Sequence, residues 1–169
     1  MTVGRRKAVP ARGHGDLLEL ELSVSYGVGR AGLPGPVSFR RWVEAALATR
    51  VKSADLAIRV VDEKEGRALN RHYRGKDQAT NVLSFPAELE LPDGVCLPIL
   101  GDVVLCAPVV AREARRQGKK LPHHYAHVTV HGTLHLLGFD HDDPVDALAM
   151  EELEREVLAS MGIADPYLV

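Results

Sequence analysis

Cysteine is nearly absent: Cys96 and Cys106 are the only two among 169 residues. Two thiols make neither a disulfide framework nor a zinc quartet, so no disulfide partner is expected. Both are read as packed side chains in a reducing, cytoplasmic setting. Long apolar runs are missing too. No stretch approaches the ~20 residues of a membrane-spanning helix, and no apolar signal core follows the basic start of the chain. Internal repeats and interior linkers are also lacking, and the length suits a single hydrophobic core. With a formal charge of −2 the whole chain offers no general attraction for polyanions. Locally it is acid that is scarce. The first fifteen residues carry Arg5, Arg6, Lys7 and Arg12 with no Asp or Glu. They read as a disordered basic leader over 1–15, ahead of one domain over 16–169.

What is present is most informative between His131 and His141, in the run His131-Gly132-Thr133-Leu134-His135-Leu136-Leu137-Gly138-Phe139-Asp140-His141. Residues four apart on a helix project from one face, one turn above the other. Gly138 supplies a residue that tolerates positive φ and can end that helix. The reversed chain can then bring His141 to the point shared by His131 and His135. Three neutral imidazoles suit one Zn²⁺ ion, with a fourth position left for water or substrate. A lone histidine on an apolar helix is usually a packed one; three at converging offsets are not. The histidines and the glycine repeat the offsets of the zinc-protease pattern H-E-x-x-H-x-x-G-x-x-H, but Gly132 stands where that pattern has its glutamate base. Peptidase chemistry is therefore not expected, although Gly132→Glu would be a change in its direction.

Around this run, His127 lies one turn before His131 and reads as a structural, substrate-facing or outer partner of the ligands rather than a fourth ligand. Asp140 and Asp142 flank His141, where each can either cap the loop or accept the free N–H of a ligand imidazole. Met150 reads as core. Two basic segments stand out: 67–76 with Arg67, Arg71, Arg74 and Lys76, and 112–120 with Arg112, Arg115, Arg116, Lys119 and Lys120 against Glu113 alone. Each by itself suggests a solvated helix face. Together, beside a metal site, they point to a polyanionic substrate. Arg74 ends a helix just before Gly75, where its guanidinium fork can meet a phosphate. The residues from Asp140 to Glu156 are strongly acidic.

Hydropathy periods predict strands over Leu18–Tyr26, Leu56–Val60, Thr80–Phe85 and Ile99–Cys106. The last is expected to be central because Val103, Val104 and Leu105 form a continuous apolar run. Helices are predicted from a Ser38 cap to about Val51, from an Asp62 cap to about Tyr73, and over 108–117, 122–137 and 144–161. Residues 87–98 read as a loop. The resulting order, β-α-β-α-β-β-α-α-α, is an α+β domain: a small mixed sheet packed with about five helices. The metal site belongs at the end of a central, buried helix.

The stretch His131–His141 resembles H-G-x-L-H-L-x-G-[FY]-D-H, the signature of the YbeY family of bacterial endoribonucleases. Leu69-Asn70 with Tyr73-Arg74, Thr80-Asn81-Val82-Leu83-Ser84-Phe85-Pro86 and Leu100-Gly101-Asp102-Val103-Val104 match the family's further blocks in order, across about residues 55–155. The resemblance implies a zinc-dependent hydrolase of single-stranded RNA that acts in rRNA maturation, notably at the 3′ end of 16S rRNA, and in ribosome quality control. Its implied partners are rRNA and the small ribosomal subunit with its assembly proteins, with no membrane. Carried over residue by residue, it makes His131, His135 and His141 the metal ligands and Arg74 the holder of the scissile phosphate. Water and the RNA 2′-hydroxyl both remain open as the attacking group. Two rivals remain: a metallopeptidase-like hydrolase, and a zinc-containing assembly factor that binds RNA with little catalysis of its own.

Overall fold

The computed structural model describes residues 17–89, 91–95 and 97–168. The leader expected over 1–15 and the thiol of Cys96 lie outside the described residues. Four strands and five helices follow in the expected order: β1 (Glu19–Tyr26), α1 (Pro36–Leu47), β2 (Ser53–Val61), α2 (Glu63–Arg74), β3 (Val82–Pro86), β4 (Ile99–Cys106), α3 (Ala107–Gln117), α4 (Leu121–Leu136) and α5 (Pro144–Ser160). The sheet order is β1-β2-β4-β3, with β1, β2 and β4 parallel and β3 antiparallel to β4. The expected mixed α+β architecture is present in one small domain.

Strand β4 lies inside the sheet, and its apolar run serves both faces. Leu100, Val103 and Leu105 join the main core with α1, α4 and α5. Val104 and Cys106 face the other way, into a smaller cluster with Leu83, against which Leu69 of α2 and Val109 of α3 pack. This is why β4 lacks the alternation of β1, an edge strand with one half-buried face. Cys106 is a free, buried thiol.

Caps explain most boundaries. Asp62 Oδ1 accepts from the Glu65 amide at 2.8 Å and Asp143 Oδ1 from the Val145 amide at 2.7 Å, so both aspartates start helices as expected. Helix α1 departs from expectation at both ends. It begins at Pro36 with Gly35 as N-cap, leaving Ser38 inside the first turn, because proline's fixed φ is already helical and needs no amide partner at that position. It ends at Leu47, and Thr49 at φ 66 turns the chain so that Val51 is buried beyond the helix end. β3 starts at Val82, two residues later than expected, since Thr80 is irregular and the chain bends at Asn81.

Helix α4 is enclosed on nearly every side. Tyr125, Ala126, Val130, Thr133 and Leu134 are fully buried, and the helix packs on α1, α3, α5, β3 and β4. Its last two turns carry His131 and His135 to the edge of this core.

Candidate metal centre

The site is assembled by the way α4 stops. The Gly138 amide donates to His135 O at 3.0 Å and the Phe139 amide to Leu134 O at 3.2 Å, the paired bonds of a glycine-terminated helix. Gly138 sits at φ 100, a left-handed backbone that reverses the chain. Asp140 Oδ1 then accepts the His141 amide at 2.7 Å and tightens the turn. The outcome is that one ring nitrogen from each of His131, His135 and His141 lies within 4.8 Å of the others.

These residues fit a metal ion. His131 Nε2 and His135 Nε2 are 3.1 Å apart, close to the edge of about 3.3 Å that two nitrogens span around a tetrahedral zinc at ~2.0–2.1 Å. Burial, followed by the neighbouring His131 and His141, pushes the His135 imidazole down to about 4. At neutral pH it is therefore uncharged, the form that ligates. A cavity of about 220 Å³ opens against His131 and His141, walled by Met150, Glu151 and Tyr167. Met150 is buried as expected, yet it also forms part of this wall.

The carboxylate behind the histidines is neither Asp140 nor Asp142. Asp140 caps the loop, and among the described residues neither aspartate hydrogen-bonds an imidazole. That place is taken by Glu154 of α5, wholly buried. Its Oε1 lies 2.7 Å from His131 Nδ1 and 3.1 Å from His127 Nε2, and its Oε2 accepts from Tyr167 Oη at 2.6 Å. Burial alone would raise its pKa, but the hydrogen bonds from His127 and His131 prevail and hold it at about 2. His127 thus faces Glu154 and stands outside the triad. The sequence did carry a signal for Glu154. It sits on the inward face of α5 with Met150, Val157 and Leu158, where an acid needs partners.

Gly132 shows why no glutamate follows the first histidine. An added Cβ would lie 2.9 Å from Val103 Cγ1 and from Val82 Cγ2, and 3.3 Å from Ser84 Oγ. Ser84 Oγ also donates to Gly132 O at 2.8 Å. The position faces the sheet and not the ligands, so Gly132→Glu places no base in the site, contrary to what the spacing alone suggests.

Arg74 stands exposed in the last turn of α2. Its junction is fixed from both sides. Asn70, buried, donates to Gln78 O at 2.7 Å and ties down the following loop. The Tyr73 ring packs on Phe85 of β3 with centroids 4.8 Å apart. Part of the basic charge is already paired: Arg67 with Asp77 and Arg112 with Glu63, each through two contacts of 3.0 Å or less. Arg71, Arg74, Lys76, Arg115 and Arg116 make no side-chain hydrogen bond among the described residues. No helix among the described residues is long and apolar enough to cross a membrane.

Comparisons with known proteins place the chain among relatives of one name. The sequence model of a family described as "Endoribonuclease YbeY" matches residues 37–162. A protein named endoribonuclease YbeY from Xanthomonas oryzae pv. oryzae (strain MAFF 311018) is 68% identical over 152 residues, 89% of this chain and 94% of that protein. One of the same name from Stenotrophomonas maltophilia (strain K279a) matches with the same identity and coverage, 68% over 152 residues. The solution structure of TM1509 from Thermotoga maritima shares the fold, with a TM-score of 0.53 at 22% identity over 88% of this chain and 99% of that one.

Proposed function

Because the chain belongs to the YbeY endoribonuclease family, we propose that it is a zinc-dependent endoribonuclease of single-stranded RNA, working in the cytoplasm with the small ribosomal subunit and its assembly proteins as partners. Its task in this reading is rRNA maturation, notably at the 3′ end of 16S rRNA, together with ribosome quality control. The observation that carries the reading is the convergence of His131, His135 and His141 within 4.8 Å at the end of a buried helix. These three residues would hold the ion. When bound, it supplies a Lewis acid that polarises the phosphoryl group and offsets the charge gathering on it.

The remaining work falls to the chain's own groups. Arg74, with no side-chain hydrogen bond among the described residues, offers its planar fork to the non-bridging oxygens of the scissile phosphate. Tyr73, 61% exposed beside it, gives a face on which an unpaired base can stack, an interaction open to single strands. Cations on α2 and α3 that make no side-chain hydrogen bond among the described residues hold the backbone without reading its sequence. The lack of a glutamate beside His131 disfavours a peptidase, which needs that base.

Arg74→Ala and His135→Ala test the division of labour. Arg74→Ala should keep its metal and lose cleavage of single-stranded RNA by on the order of 10²–10³-fold, the usual cost of deleting one donor at a charged transition state. His135→Ala should lose both metal and cleavage. An Arg74→Ala protein that cleaves at the wild-type rate would remove the phosphate-binding role.

A further inference from the structure

Glu154 accepts three hydrogen bonds while wholly buried, and one of its donors is a nitrogen of the metal triad. An ionised carboxylate only accepts, so the proton in the 2.7 Å contact with His131 sits on His131 Nδ1. The lone pair of His131 is then on Nε2, the atom that lies 3.1 Å from His135 Nε2. The tautomer His131 needs as a ligand is thus set from behind.

Glu154 is itself fixed. His127 Nε2 shares Oε1 at 3.1 Å and Tyr167 Oη donates to Oε2 at 2.6 Å, so neither oxygen is free to turn away. Tyr167 is held in turn. Its amide donates to Asp165 Oδ1 at 2.8 Å, Asp165 accepts from Arg155 Nε at 3.0 Å, and the Arg155 guanidinium lies 5.1 Å from the Tyr167 ring centre. Arg155 is the residue after Glu154 on α5, so one helix both presents the carboxylate and anchors the segment that covers it.

We propose that Glu154, clamped by His127 and Tyr167, is a positioning residue that fixes His131 as the Nδ1–H tautomer and thereby sets the affinity of the triad for a divalent cation. The arrangement makes Asp165 and Tyr167 part of the site's support. The proposal rests on the reading of the triad as a metal site.

The test uses the full chain, first stripped of metal and then titrated with Zn²⁺ and with Co²⁺ against a chromophoric chelator. Glu154→Gln keeps the size of the side chain and removes its charge. It should bind both ions 10–100-fold more weakly, the usual effect of losing such an outer partner, and the visible absorption of the Co²⁺ form should change. Nitrogen-15 spectra of the apo proteins should show His131 as Nδ1–H in the wild type and as a tautomer mixture in the variant. Tyr167→Phe removes one hydroxyl and should shift affinity the same way by a smaller factor; if Glu154→Gln does not fold, it decides the matter alone. A purely structural Glu154 would lower the melting temperature of the apo protein and leave affinity, cobalt spectrum and tautomer unchanged, which would overturn the proposal. A wild-type chain that binds neither ion would sink the metal reading instead.

Discussion

Gly132 and Glu154 mark the two limits of reading this site residue by residue. The three histidines were legible because their offsets, with Gly138 as a stop, converge only on a terminated helix, and the structure brings them together. Gly132 was legible as a missing base but not as a contact, since the side chains it would strike, Val82 and Val103, come from strands that are distant in sequence. Gly132→Ala should therefore cost about 1–3 kcal/mol by overpacking, read as a lower urea midpoint at unchanged slope. An alanine variant as stable as the wild type would mean that α4 can move off the sheet without penalty. Spacing points to Asp140 and Asp142 beside His141 for the partner carboxylate, which lies instead one helix later, at Glu154. Local spacing does not reveal which face of α5 meets α4.

At the scale of elements, strand and helix identities followed from periodicity, and the interior position of β4 from its unbroken apolar run. The order β1-β2-β4-β3 did not, because nothing local to β3 says that it pairs only with β4. Charge was legible in amount but not in availability. Arg67 and Arg112 look equivalent to their neighbours in the sequence, yet Asp77 and Glu63 occupy them in the fold. RNA binding should reflect that difference. Replacing Arg115 or Arg116 by alanine should flatten the plot of log affinity against log salt by about 0.7 for each phosphate no longer neutralised, the single-strand value. Arg112→Ala should change that slope less. Equal effects at the paired and unpaired positions, or binding indifferent to salt, would remove α3 from the RNA surface.

For the whole molecule, the core forms around α4 and both faces of the sheet, while the histidine triad lies at the end of that helix. A core of this size predicts a fold that stands without an ion, unlike small zinc modules that unfold when stripped. Metal should add stability only by mass action, about 2.7 kcal/mol when free ion is at a hundred times its dissociation constant. The central claim is that the same ion is indispensable to the chemistry. The most direct measurement is the cleavage of an end-labelled single-stranded RNA and its duplex by stripped and by zinc-reloaded protein, with circular dichroism recorded on both forms. The account predicts a folded but inactive stripped protein, and activity restored by zinc on the single strand alone. The product end groups, cyclic phosphate or plain monoester, would then identify the attacking oxygen. Undiminished cleavage by the stripped protein, or none by a folded and reloaded one, would contradict it.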